Sequence, residues 1–421
     1  MPFSHLGLSE PLLRAVTVRN YPAPTPVQTA AIPAVLRGSD VWVSAQTGSG
    51  KTAAFALPVL QKLSAGGRER GRFVRALVLV PTRELAAQIG DSFRIYGRWL
   101  PAPVKILVVY GGVSINPQMM ALGGGADIIV ATPGRLLDLV DHNAVSLAAV
   151  STLVLDEADR LLDLGFAHEL NRIIALLPAR RQSLLFSATF PPAVQALAGA
   201  LLQDPVRIDV PAAPETTPDI VQRAIEVDPP RRTQLLRHLI EANKWTRVLV
   251  FVATKYATEH VAEKLRKAGI AALAFHGELR QGARTRALAE FKASRVQVLL
   301  TTDLGARGLD IAQLPVVVNF DLPRSAVDYT HRIGRTGRAG ESGVAVSFIS
   351  AGTHAHFQLI EKRHRMNLPR EQIEGFAPEE LALPAPPAGG IKGRRKSKKD
   401  KLREAAARGN DPTSITPRPR H

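Results

Sequence analysis

Val41-Trp42-Val43 leads, through Ser44, into Ala45-Gln46-Thr47-Gly48-Ser49-Gly50-Lys51-Thr52, and a helical pattern then runs from Thr52 to Leu63. This order of β-branched strand, glycine-bearing loop and helix carries a physical meaning. Glycines let the backbone turn so that successive N–H groups point at phosphate oxygens. The start of the helix adds the positive end of its dipole. Lys51 is placed to reach β- and γ-phosphates, and the Thr52 hydroxyl to ligate Mg²⁺. The eight residues from Ala45 to Thr52 therefore form a candidate phosphate cradle, with Ala45 where the pattern usually has its first glycine.

A second signal lies downstream. The apolar run Leu153-Val154-Leu155 ends in Asp156-Glu157-Ala158-Asp159. Phosphoryl transfer needs an acidic pair at a strand end beside the cradle. Asp156 is the candidate for holding Mg²⁺, largely through water, and Glu157 for orienting or activating the attacking water. Spacing alone thus points to a nucleoside triphosphatase.

Similar short apolar runs recur at Ala76 to Val80, Ile106 to Val109, Ile128 to Val130 and Leu184 to Phe186, with helical stretches such as Pro191 to Leu202 between them. Runs of this kind, covered on both faces, are typical of parallel strands, and the alternation predicts a doubly wound α/β sheet. Asp204 to Asp219 holds four prolines and is expected to be a linker. The alternation restarts at Val248 to Val252, Ala271 to Phe275, Val296 to Leu300, Val316 to Phe320 and Val344 to Ile349. A helix is expected over Thr258 to Ala268, with Gly269 just beyond its end. No short-period repeat is visible. The expected domains are 1–208, a linker at 209–218, 219–378, and a tail at 379–421.

The chain has 421 residues and a net charge of +17, from 54 Lys+Arg against 37 Asp+Glu. Residues 392–421 hold 11 basic and 3 acidic residues, a net of +8, so the other 391 residues carry only +9. With no aromatic residue, this segment cannot bury enough apolar surface to offset chain entropy, and it is expected to be a disordered arm that binds phosphates without reading bases. The absence of cysteine excludes disulfides, thiolate metal sites and a cysteine nucleophile. No run approaches the roughly 18 apolar residues of a membrane helix, and Met1 to Ser9 lacks the pattern of a secretory signal. A soluble, cytoplasmic protein without a membrane partner is expected.

The tetrapeptide Asp156-Glu157-Ala158-Asp159 is the name-giving motif of the DEAD-box RNA helicases, and the chain resembles that family from residue 3 to about 376. The resemblance implies two tandem RecA-like domains with mostly parallel sheets, and an ATP- and Mg²⁺-dependent enzyme acting on RNA. Gln281-Gly282-Ala283-Arg284-Thr285-Arg286-Ala287-Leu288 looks most like the bacterial RhlE-type subgroup. Within residues 1–29, Tyr21-Pro22-Ala23-Pro24-Thr25-Pro26-Val27-Gln28 resembles the Q motif. Tyr21 is implied to stack on adenine, the Gln28 amide to match adenine N6 and N7, and Phe3 to be the upstream aromatic. Asn20 replaces the usual glycine, and Asn tolerates positive φ better than most residues.

The resemblance also assigns an RNA track. Pro81, Arg83, Gly112, Thr132 and Arg135 are implied to grip RNA backbone from the first domain, and Arg284, Thr302 and Arg307 from the second. Ser187-Ala188-Thr189 resembles the motif that couples hydrolysis to strand separation. Asp310 is implied to contact the ribose, Gly305 stands where alanine is commoner, and His331 belongs to a motif whose Arg335 and Arg338 are arginine fingers. Fingers supplied by a second domain make hydrolysis depend on closure, and RNA bridging both domains favours the same state. A DNA translocase would lack the Q-motif residues, and a non-catalytic clamp would have lost Lys51, Glu157, Arg335 or Arg338. All are present. Nothing in the residues chooses between ribosomal and mRNA-decay assemblies as the setting, and no heptad run suggests an oligomer.

Overall fold

In the computed structural model, described over residues 2–46, 48–66, 73–210, 220–306, 311, 314–337 and 342–379, the apolar runs become strands of two parallel sheets. The first contains β1 (Val41–Ser44), β2 (Val74–Leu79), β3 (Ile106–Val109), β4 (Ala126–Ala131), β5 (Thr152–Leu155), β6 (Gln182–Ser187) and β7 (Val206–Asp209). The second contains β8 (Ile220–Glu226), β9 (Val248–Phe251), β10 (Ala272–Phe275), β11 (Val298–Thr301), β12 (Val316–Asn319), β13 (Gly343–Ile349) and β14 (Arg370–Glu371). Their spatial orders are β3-β4-β2-β5-β6-β1-β7 and β10-β11-β9-β12-β13-β8-β14. Subtracting seven from each label of the second order yields the first. The chain therefore repeats one topology, a duplication that leaves no short-period trace in the sequence.

Helices cover both faces of each sheet, so the central strands are buried on both sides and lack polar alternation. In β2, Ala76 and Val78 enter the core on one face, while Leu77 and Leu79 enter the core on the other. β11 divides in the same way, Val298 and Leu300 against Leu299. This two-residue alternation fixes the register, since a slip of one residue would exchange the faces.

The strands absent from the sequence reading lie toward the poorly covered side of each sheet. Val206–Asp209, expected to lie in the linker stretch, instead pairs in parallel with β1 as the edge strand β7. Only Ile208 of its four residues is buried, and the one-sided burial explains the weak sequence signal. Residues 211–219, the remainder of that stretch, lie outside the described residues, as does the tail from 380 onward. The helix expected from Thr258 begins earlier, at Lys255, because the Thr254 hydroxyl accepts from the Ala257 N–H at 3.1 Å and caps it. Among the described residues, no helix is long and apolar enough to cross a membrane.

Candidate active site

β1, β5 and β6 are neighbours in the first sheet, and their C-terminal ends converge. The Ala45 N–H donates to the Ser187 carbonyl at 3.0 Å, tying the start of the phosphate loop to the end of β6. Ala45 is buried and its φ is not positive, so this position has no need of glycine. Gly50 does need to be glycine: φ is +91°, and a Cβ there would strike the Gln28 amide and the Thr25 hydroxyl. The helix Lys51–Ala65 starts immediately after it. Lys51 is 6% exposed and donates from Nζ to the Ala45 carbonyl at 2.9 Å, across the loop it is expected to serve. Gln46, Gly48 and Ser49 complete the described loop, with Ser49 Oγ donating to the Gln46 carbonyl at 2.8 Å. Thr47 lies outside the described residues.

Asp156 and Glu157 follow β5 directly. Asp156 is buried, and its Oδ1 accepts from the Glu157 N–H at 2.9 Å. Burial pushes its carboxyl up to about 6, against the pull of Lys51 and with smaller upward contributions from Glu157 and Asp159. A carboxylate desolvated in this way favours a compensating cation. Thr52 and Asp156 offer hard oxygen donors, which is the chemistry Mg²⁺ prefers. Glu157 has φ of +52°, in the left-handed region that costs a non-glycine residue roughly 1–2 kcal/mol. Its Oε2 is buried without a hydrogen bond and faces Arg160 Nη1 at 3.5 Å, which also lacks one.

Asp159, to which the sequence reading assigned no role, anchors the Ser187–Thr189 turn. Its Oδ2 accepts from the Thr189 hydroxyl at 2.7 Å and from the Thr189 N–H at 3.0 Å, and its own N–H donates to Ser187 Oγ at 3.2 Å. Ser187 Oγ in turn donates to the Thr189 carbonyl at 2.8 Å. The Asp156–Asp159 motif and the Ser187–Thr189 turn are thus hydrogen-bonded to each other at the end of β6.

Asn20 adopts φ of +53°, so the Q-motif turn forms without glycine. Tyr21 stacks on Phe3 with ring centroids 6.4 Å apart, and its hydroxyl lies 3.1 Å from that of Tyr96. Gln28 is buried; Nε2 donates to the Gly50 carbonyl at 3.2 Å, and Oε1 accepts from the Thr25 N–H at 3.0 Å. Each end of the amide has one bonding site left, a donor and an acceptor, which is the pair adenine requires.

On the first domain's other loops, the Thr82 side chain caps the helix Arg83–Gly97, directly after Pro81. Gly112, at φ +76°, lies flat beneath the Arg83 guanidinium, which would collide with any Cβ there. Arg135 Nη2 donates to the Val113 carbonyl at 2.8 Å, while its Nε and Nη1 are buried without hydrogen bonds. Thr132 is buried at the start of the same helix, Pro133–Asp141. Arg83, Gly112 and Arg135 are thus gathered around one backbone turn.

The second domain contributes differently. Arg284, expected on the RNA track, is buried within the protein. Its Nε donates to Glu84 Oε1 at 2.7 Å, Nη1 to the His276 carbonyl at 2.8 Å, and the guanidinium covers the Phe275 ring. Glu84 belongs to the first domain, so this ion pair joins the two. Thr302 Oγ1 accepts from the Gly305 N–H at 3.1 Å, and a methyl at Gly305 would lie 2.7 Å from Thr301 Oγ1 and 2.8 Å from the Phe275 carbonyl. His331 titrates below its ordinary value, through lost hydration first and then the nearby charges of Arg160 and Arg335. Arg307, Asp310 and Arg338 lie outside the described residues.

Two family models match the chain, "DEAD/DEAH box helicase" over residues 25–197 and "Helicase conserved C-terminal domain" over residues 231–340. The ATP-dependent rRNA helicase rrp3 of Emericella nidulans is 42% identical over 373 residues, which are 88% of this chain and 79% of that protein. The chain belongs to the DEAD-box RNA helicase family. The ATP-dependent RNA helicase DeaD of Mycobacterium tuberculosis is 41% identical over 371 residues, and the matched part spans 88% of this chain but 65% of that relative, just under two thirds of its length. Among solved structures, S. cerevisiae Dbp5 bound to RNA and ADP BeF3 superposes with a TM-score of 0.77 at 30% identity, covering 88% of this chain and 95% of that one. The two sheets are accordingly the tandem RecA-like domains of a DEAD-box protein.

Glu84, Tyr96, Asp159 and Arg160 are the members of this DEAD-box site that the sequence reading passed over. Asp159 stands inside a quoted motif and Glu84 directly follows Arg83, so their positions were on view while their partners were not. Tyr96 has no local motif around it.

Proposed function

We propose that this chain is an ATP-dependent RNA helicase that closes its two domains on ATP and RNA and opens short duplexes or remodels RNA–protein contacts. The observation that carries the proposal is the buried Glu84–Arg284 ion pair, which links the RNA-facing helix of the first domain to the second. The likeness to a Dbp5 structure containing RNA and ADP BeF3 supports a closed arrangement.

In this reading Lys51 exchanges the Ala45 carbonyl for phosphate oxygens, and the loop N–H groups from Gln46 to Thr52 cradle them. Glu157 orients the attacking water. Arg335 and Arg338 offset charge on the transferred phosphoryl group, an effect worth roughly 10³–10⁵ in rate. Thr52 and Asp156 hold Mg²⁺, which when bound neutralises phosphate charge. His331, Ser187 and Thr189 pass the state of the nucleotide to the RNA side through Asp159. Phe3, Tyr21, Gln28 and Asp310 hold the nucleoside. Pro81, Arg83, Gly112, Thr132, Arg135, Thr302 and Arg307 hold RNA backbone, and Arg284 braces them. We divide the chain at 208 and 219, assign residues 379–421 to a non-specific RNA-binding arm, place the protein in the cytoplasm, and assign it to the RhlE-type subgroup. Ribosomal or mRNA-decay assemblies are suitable settings.

ATP hydrolysis measured without nucleic acid, with single-stranded RNA, with duplex RNA and with DNA tests the reading. Stimulation by RNA is expected; stimulation by DNA alone overturns it.

A further inference from the structure

The helix Arg83–Gly97 has functional side chains at both ends. Arg83 and Glu84 open it, beside Gly112 and Arg284. Tyr96 nearly closes it, 13 residues later and about 20 Å along the axis at 1.5 Å per residue. Tyr96 is 2% exposed, packed in the first domain's core, and its hydroxyl meets the Tyr21 hydroxyl at 3.1 Å. Tyr21 is half-buried and leans on Phe3 at an interplanar angle of 25°.

An aromatic ring stacks well on a base only if its position is fixed, and a half-buried ring held solely by packing can swing about its Cα–Cβ bond. The phenol–phenol bond removes that freedom: it anchors the far end of the Tyr21 ring, while the stack on Phe3 sets the ring plane. We propose that Tyr96 is a positioning residue for adenine: it holds the far end of the Tyr21 ring in its stacking position and ties that position to the helix that bears Arg83 and Glu84. This rests on the ATP- and RNA-binding reading above, and adds a route between the two sites. Tyr96 stays a neutral phenol because burial and the Tyr21 hydrogen bond both disfavour its anion, so the bond persists through physiological pH.

The bond makes the test a closed cycle. Tyr21→Phe and Tyr96→Phe each keep the ring and remove one hydroxyl, and the double variant removes both. Binding of a non-hydrolysable ATP analogue is measured by calorimetry with and without a single-stranded oligouridylate, with inorganic tripolyphosphate as the base-free control. Loss of one hydrogen bond corresponds to about a five-fold weaker analogue affinity. The expected result is the same loss in both single variants and in the double variant, unchanged tripolyphosphate affinity, and a smaller RNA-induced gain in analogue affinity. Melting temperature should fall in the single variants, where a hydroxyl is left unpaired, and recover in the double variant. Analogue affinity that recovers alongside melting temperature, or that matches wild type throughout, overturns the positioning role. An undiminished RNA-induced gain overturns the link through the helix. If the wild-type protein itself binds the analogue no better with RNA, the helicase reading fails instead.

Discussion

Asp156 and Glu157 are adjacent carboxylates with different environments, and their variants should behave differently. An acid raised from 3.8 to about 6 binds its proton more tightly in the folded chain than in the unfolded one. Its contribution favours the fold below about pH 4 and is lost as pH rises through 6. Without nucleotide and Mg²⁺, Asp156→Asn should therefore stabilise the protein at neutral pH by about 1–3 kcal/mol, while abolishing turnover. Thermal melting of both proteins from pH 4 to pH 8 checks this: the gap should open between pH 4 and 6, and parallel curves would refute the burial cost. Glu157→Gln should instead lower ATP turnover by about 10²–10⁴ with ATP and RNA binding retained. Near-normal turnover would remove Glu157 from its role in orienting water. The residue types were legible here because phosphate chemistry needs hard anions and a lysine at strand ends. The left-handed backbone of Glu157 and its unbonded contact with Arg160 were not, because both depend on how the chain leaves β5.

Secondary-structure elements show the same division. β5 and β6 were readable as unbroken apolar runs because parallel strands covered on both faces need no polar alternation. β7 escaped notice because apolar and charged residues alternate in it, β8 because Gln222 and Arg223 interrupt its apolar residues, and β14 because it numbers only two residues. At the loop Gly111–Gly112, the close approach of Arg83 sets a demand that a glycine pair alone does not announce. Gly112→Ala should weaken single-stranded RNA binding by about ten-fold, the scale of a left-handed alanine, because the methyl displaces Arg83. ATP affinity measured without RNA should be unaffected. Titration of labelled RNA against both proteins decides it, and equal RNA affinities would detach Gly112 from the track.

In the whole molecule, the decisive contact joins residues 200 positions apart, Glu84 and Arg284. Breaking a buried pair by removing one partner typically costs 3–5 kcal/mol. If the pair belongs to closure, that cost falls on the closed state and spares the folding of either domain. Glu84→Ala should then raise the RNA concentration needed for half-maximal ATPase stimulation at least ten-fold and leave the melting temperature of the nucleotide-free protein within about 1 °C. The charge-exchanged pair, Glu84→Arg with Arg284→Glu, should recover part of the stimulation. A large fall in melting temperature for Glu84→Ala would make the pair a folding contact instead.

Local patterns in the chain specified the α/β class, the two successive domains, the glycine-bearing loop after β1 and the acidic pair after β5: a run of apolar residues, a glycine spacing, a charge at a strand end. Packing over long range set the rest: the second sheet repeats the first strand for strand, Asp159 bonds Ser187 and Thr189, the Tyr96 hydroxyl meets that of Tyr21, and Arg284 turns inward to Glu84. The physical reason is range. Strand formation and the glycine turn before a helix follow from neighbours in the chain, whereas a hydrogen bond between distant side chains exists only after packing has set their separation.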